Sequence, residues 1–148
     1  TLRKGLMRDP TVGERLILEI TESSAMLIPE LVTSFMAQMR RHGIGFALDD
    51  FGAGYTSFRH LRNFLFDVLK IDGQFIQNVA HDPDNQVLAN SLIAIAQQMD
   101  MLTIAEQVEN EEDAAWLIEA GIDCLQGYYY AAPTIHPPWR EEARRTGT

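Results

Sequence analysis

The sequence predicts an α/β fold, a partial βα barrel of the TIM type with about five βα units. Three observations carry this. Short apolar runs alternate with amphipathic stretches along most of the chain, the pattern of βα repeats around a parallel sheet. The amphipathic stretches begin and end on residues that cap helices. Acidic residues fall at or near the C-terminal ends of the apolar runs, where a βα barrel gathers its loops on one face.

In chain order, strands are expected at 16–20, 44–49, 68–72, 102–108 and 124–128. Between the first two, Leu31, Val32, Phe35, Met36 and Met39 recur at helical spacing. Pro29 suits the first turn of that helix, Arg40, Arg41 and His42 its last, and Gly43 its stop. A shorter helix is expected at 56–64. A third spans 85–99, with Leu88, Leu92, Ile95 and Met99 as one buried stripe. Asn110 caps a fourth, whose first turn holds Glu111, Glu112 and Asp113 and which ends at Gly121. Beyond Pro133 the pattern dissolves, and 134–148 is expected to be a short cap and a frayed tail. Five strands are too few for an eight-stranded barrel. The chain is therefore expected to be one domain over 1–148, incomplete at its front, and Thr1 is read as an internal start.

The chain has 148 residues, 46% hydrophobic and 22% charged, enough apolar material for one globular core. Twelve Lys and Arg against 21 Asp and Glu give a formal net charge of -9, which repels a nucleic-acid backbone, so polymeric DNA or RNA is excluded as a partner. A small phosphate ligand remains compatible if divalent cations stand between the two sets of negative charge. The lone Cys124 forms no internal disulfide and fits a reducing, cytoplasmic setting. No apolar run reaches membrane-spanning length.

Glu19, Asp49 with Asp50, Lys70 with Asp72, and Glu106 with Glu109 all fall near successive strand ends. Converging carboxylates repel unless cations join them, so one or two hard divalent ions, Mg²⁺ or Mn²⁺, are expected there. Nothing resembles a CxxC or HExxH zinc pattern. Taken singly, Glu22, Asp72 or Glu109 is more simply a helix cap or a solvated acid. Asp49 and Asp50, followed by Phe51, Gly52, Ala53 and Gly54, form a loop built to hold something. Lys70 stands among Val68, Leu69 and Ile71, as either a snorkelling residue or an internal cation facing the acids; alternation favours the interior. Tyr128, Tyr129 and Tyr130 are packing residues or stacking platforms.

Five motifs, in order, resemble one family: Leu18-Glu19-Ile20-Thr21-Glu22, Asp49-Asp50-Phe51-Gly52-Ala53-Gly54-Tyr55, Leu69-Lys70-Ile71-Asp72, Ala105-Glu106-Gln107-Val108-Glu109 and Gln126-Gly127-Tyr128. Together they are similar to the EAL domains that hydrolyse cyclic di-GMP, over about residues 16–133. The resemblance implies a modified βα barrel and a pair of Mg²⁺ or Mn²⁺ ions. It implies that Glu19, Asp49 and Asp50 bind metal, that Lys70 orients water or phosphate, and that Glu106 acts as a metal-linked acid or base. Glu22 would brace the loop after Asp50, and Gln126 and Glu109 would contact water or nucleotide. The Glu-Ala-Leu motif and a metal-binding Asn that belong upstream in this family are absent. Gln107 stands where the family usually has Gly, which is expected to affect packing more than chemistry. The expected activity is hydrolysis of cyclic di-GMP to the linear dinucleotide, weak or absent in a chain without the front portion. The alternatives are a non-catalytic cyclic di-GMP receptor or protein-interaction module, and a homo-oligomer that pairs its open sheet edge with another copy.

Overall fold

The computed structural model describes residues 2–52 and 58–135. Five parallel strands lie side by side in chain order: β1 (Ile17–Thr21), β2 (Gly45–Phe51), β3 (Val68–Ile71), β4 (Leu102–Ala105) and β5 (Cys124–Leu125). That order separates two α/β classes. A doubly wound sheet reverses its strand order at a switch point, whereas a βα barrel adds each new strand on the same side. No reversal occurs, and the architecture is that of the TIM-like barrel class.

The connecting helices are α1 (Leu2–Arg8), α2 (Glu22–Leu27), α3 (Pro29–Arg40), α4 (Phe58–Phe64), α5 (Pro83–Gln98) and α6 (Glu111–Ala120). Their ends follow local chemistry. α3 opens on Pro29, which lacks the N–H that a first helical residue would leave unpaired, and closes on Arg40. The Asp82 carboxylate accepts from the backbone N–H groups of Asp84 and Asn85 at 3.0 and 3.2 Å, so α5 starts two residues before the periodicity predicts. Asn110 caps α6 at 2.8 Å through Asp113 N–H, as expected, with Gly121 in left-handed backbone at its end.

Strands buried on both faces lose the polar-apolar alternation of a half-exposed sheet. Phe46, Ala47 and Leu48 are consecutive buried residues of β2, and all four residues of β3 are buried. The apolar side chains divide between a cluster around Phe46, Leu48, Phe64 and Leu69 and a second around Ile71, Ile93, Val108 and Leu117. At the opposite end of the strands from the acidic residues, two aspartates tie neighbouring strands together. Asp67 accepts from Phe46 N–H at 2.8 Å and pairs with Arg40 at 3.1 Å, and Asp123 accepts from both Thr103 N–H and Thr103 Oγ1. Each satisfies a strand-end donor that would otherwise be left unpaired in the interior.

Four expectations need correction. The buried residues of α5 are Ala89, Ile93 and Ala96, not the stripe expected through Leu88, which is exposed. β4 ends at Ala105 rather than at 108, because Gln107 takes a left-handed φ of 57° that no strand continues through. β5 covers residues 124–125 rather than 124–128; beyond Leu125 the chain bends over Val108, which donates to the Gln126 carbonyl and accepts from Tyr129 N–H. The helices α1 and α2 and the 3-10 turn Pro10–Arg15 were not foreseen, being shorter than a periodicity window resolves. The helix expected at 56–64 runs from Phe58 in the described residues. Among the described residues no helix is long and apolar enough to cross a membrane. The tail expected at 134–148 lies, from residue 136 on, outside the described residues.

Candidate metal and catalytic site

Successive strand residues point to opposite faces, so two adjacent acids on a regular β2 would diverge. They do not. The β2–β3 register shifts between Leu48 and Phe51, and Asp50 adopts a left-handed φ of 55°. This bulge re-aims the side chains, and aspartate is among the residues that tolerate the conformation best. Its N–H is held by Asp49 Oδ1 at 2.9 Å. As a result, one carboxylate oxygen from each of Asp49, Asp50 and Glu106 lies within 4.8 Å of the others.

Lys70 completes the cluster from below. Its strand neighbours bury it, and its side chain is only 7% exposed. The ammonium lies 3.0 Å from Glu19 Oε1, 2.9 Å from Glu106 Oε1 and 3.7 Å from Asp49 Oδ1. It is the internal cation, not the snorkelling residue. Burial by itself would pull Lys70 down, but hydrogen bonds to Glu106 and Glu19 and the fields of Glu106 and Asp49 outweigh it, and its pKa is pushed up to about 12. Lys70 is therefore charged at neutral pH and is no general base.

Glu106 and Asp50 are raised as well, which for an acid disfavours the charged form. Burial raises Glu106 against the opposing pull of Lys70, with Asp49 adding to the rise. Asp50 is raised by burial, then by the negative fields of Asp49 and Asp72. One lysine does not neutralise four acids, and the remaining negative charge in an all-oxygen cluster suits a hard divalent cation. Asp49, Asp50 and Glu106 are the residues that can hold it, and Glu19 stands beside them across Lys70.

The loop that follows β2 is anchored from α2. Glu22, 2% exposed, accepts from Gly52 N–H at 3.1 Å. Gly52 has a φ of 99°, and a Cβ there would sit 2.6 Å from the Phe75 ring, so any side chain would strain the backbone and displace that ring. Residues 53–57, part of the glycine-containing motif, lie outside the described residues. Gln126, just past β5, lines a cleft of about 320 Å³ with Glu106, Gln107 and Tyr128. Tyr128, which lines that cleft, is 68% exposed, while Tyr129 and Tyr130 pack edge to face with each other. Glu109 is exposed in the loop after β4 and belongs neither to the acidic cluster nor to the cleft lining. Asp72 does what a lone strand-end acid most simply does: it accepts from Gln74 N–H at 2.8 Å and caps the turn Gly73–Phe75. Sequence reasoning underrated Gln107, whose left-handed backbone and place in the cleft leave no trace in hydrophobic periodicity.

A parallel sheet with a cluster of carboxylate oxygens and a buried lysine at its C-terminal strand ends has the donor set that a hard divalent cation would need. The chain belongs to the EAL domain family, whose model matches residues 1–133. It is 34% identical over 133 residues to the bifunctional diguanylate cyclase/cyclic di-GMP phosphodiesterase MucR of Pseudomonas aeruginosa, covering 90% of this chain and 19% of that protein. It is 41% identical over 120 residues to the cyclic di-GMP phosphodiesterase PdeF of Escherichia coli, covering 80% of this chain and 16% of that one. Among solved structures, a PaMucR phosphodiesterase complex with c-di-GMP superposes with a TM-score of 0.84 at 33% identity, over 94% of this chain and 56% of that chain. Klebsiella pneumoniae BlrP1 with manganese and cyclic di-GMP gives a TM-score of 0.77 at 26% identity, over 82% and 31%. The chain thus spans about a fifth or less of the length of these two curated relatives.

Proposed function

We propose that this chain carries the metal-binding and catalytic side of a site that hydrolyses cyclic di-GMP to its linear dinucleotide, in a cytoplasmic bacterial signalling protein. The supporting observation is the convergence of Asp49, Asp50 and Glu106 oxygens around one point, with Lys70 beneath them. Asp49, Asp50, Glu106 and Glu19 would hold two Mg²⁺ or Mn²⁺ ions. When bound, such ions supply water activation and charge stabilisation for in-line displacement at phosphorus. Lys70 orients the attacked phosphate and adds positive charge that offsets the acidic domain. Glu106, with its raised proton affinity, accepts and returns a proton near the reacting oxygens. Gln126 and Tyr128 line the cleft beside it and bind the nucleotide; Glu109 joins them only if its loop moves. The test is to incubate the protein carrying this chain with cyclic di-GMP and Mg²⁺ or Mn²⁺ and follow the linear dinucleotide by chromatography. Binding without turnover would move the receptor reading ahead of the enzyme reading.

Among the described residues β1 pairs only with β2, leaving its far edge open, and Ile17 on it is 59% exposed. We propose that another segment or a second copy covers this edge. Light scattering decides between the two, and a well-packed monomer of this chain alone would count against both.

Protons compete with metal for Glu106 and Asp50. Both carboxyls are raised, so they take up protons at a higher pH than ordinary acids do. On acidification Mn²⁺ affinity should begin to fall at a higher pH than ordinary carboxylate ligands would give, by up to about tenfold per pH unit for each proton displaced. Calorimetry at several pH values checks the sign. Affinity that stays flat into the ordinary carboxylate range would remove these two residues from the ligand set.

Glu22→Ala should act at a distance from the metal. It deletes the acceptor for Gly52 N–H and empties a buried site, so it loosens the backbone that follows Asp50. Affinities for metal and for cyclic di-GMP should weaken together, by roughly tenfold. If calorimetry shows both unchanged, the bracing role is wrong.

A further inference from the structure

We infer that Gln107 is a positioning residue that fixes the aim of Glu106 by locking the loop after β4 onto the turn after β3. This inference rests on the reading of Glu106 as a metal ligand. Glu106 is held on one side, where its N–H donates to the Ile71 carbonyl at 3.2 Å. Val108 is held on the other, fully buried and donating to the Gln126 carbonyl at 3.0 Å. Gln107 is the single residue between these two anchors, so its conformation limits how the Glu106 backbone, and the carboxylate it carries, can turn.

Those dihedrals are costly. Among the described residues the non-glycine positions with positive φ are Asp50, Leu65, Asn78, Asp100 and Gln107, and glutamine lacks the short polar side chain that eases the conformation for Asp and Asn. Such a residue persists only where its surroundings compensate. Here the side chain crosses to the neighbouring loop. Its Oε1 accepts from Gln77 Nε2 at 3.2 Å, and its carboxamide lies over Gly73, where a Cβ would come within 2.4 Å of Gln107 Cδ and 2.5 Å of Oε1. All three nearest neighbours of that Cβ are Gln107 atoms, so glycine at 73 and glutamine at 107 are matched parts. Gly73 directly follows Asp72, one of the acids whose field reaches Asp50. The bridge thus ties two of the strand-end loops that build the site. A glycine at 107 would adopt the same φ without strain and without the bridge.

The test separates aim from stability. In the protein carrying this chain, Mn²⁺ affinity by calorimetry and Tm are measured for the parent, Gln107→Gly, Gly73→Ala and the double variant. Gln107→Gly should leave Tm unchanged or raise it, yet weaken Mn²⁺ binding about tenfold, the scale of losing a residue that orients a metal ligand. Gly73→Ala should weaken binding similarly by pushing Gln107 away, and adding it to Gln107→Gly should cost nothing more. Binding within twofold of the parent for Gln107→Gly would overturn the inference, as would a loss of affinity that merely follows a fall in Tm. A parent that binds no Mn²⁺ would overturn the metal-site reading itself and this inference with it.

Discussion

Asp49→Asn should lower cyclic di-GMP hydrolysis by about a thousandfold while the fold survives. The substitution keeps the shape of the side chain, and the asparagine carbonyl can still accept from Asp50 N–H, the contact that holds the bulge at the end of β2. What it removes is charge. Asp49 belongs to the acidic set, within 4.8 Å of oxygens from both Asp50 and Glu106 and 3.7 Å from Lys70. Metal affinity follows ligand charge, and small misplacement at a reacting centre costs on the order of a hundredfold by itself. Loss of the ion would remove water activation as well. Asp50→Asn makes a useful companion, because asparagine also tolerates the left-handed backbone at that position. The measurement is linear dinucleotide formation with Mg²⁺ and with Mn²⁺, with circular dichroism and Tm on the same samples. An Asp49→Asn protein that turns over normally would take Asp49 out of the site. One that loses activity together with its Tm would show a structural residue instead.

How much of this was legible beforehand depends on the interaction range involved. The existence of α3, α5 and α6 and of the five strands could be read because amphipathic spacing imposes a period and caps such as Pro29 and Asn110 act within a few residues of themselves, whereas the buried face of α5 and the ends of β4 and β5 depend on tertiary contacts. Lys70 stood out as a cation in a fully apolar strand, and strand alternation placed it inward. The partners it finds there, Glu19 and Glu106, lie 51 and 36 positions away in the chain, and only the sheet order joins them. The bulge at Asp50 and the turn at Gln107 were hidden for a different reason. Neither residue announces positive φ as a glycine would, and the strand expected over 102–108 ran through Gln107, where β4 had already ended. Asp72 illustrates the converse: a strand-end acid that, taken singly, is most simply a cap does cap its own turn at 2.8 Å.

Lys70→Met should uncouple catalysis from metal binding. Methionine fills a similar volume in β3 but leaves Glu19, Asp49 and Glu106 facing one another without their shared cation. In the metal-free protein that repulsion should lower stability. Breaking a buried pair costs about 3–5 kcal/mol; because Glu19 is half-exposed and water screens it, about 1–3 kcal/mol is expected. The pH dependence of the parent gives the sign independently. With its pKa pushed up to about 12, Lys70 contributes stability that is fully present below the ordinary lysine range and is lost as pH rises through about 12. Lys70→Met removes this contribution at every pH. The same repulsion is relieved by a divalent cation, so Mn²⁺ should bind the variant at least as tightly as the parent and should recover more Tm than it adds to the parent. Hydrolysis should nevertheless fall by about a hundredfold or more, because the positive charge that orients the phosphate is gone and methionine donates no hydrogen bond. Calorimetry, thermal melts with and without Mn²⁺, and the turnover assay measure the three quantities separately. Weakened Mn²⁺ binding in step with lost activity would mean that Lys70 serves only to hold the acids in place, and the assignment of Lys70 to the reacting phosphate would be withdrawn.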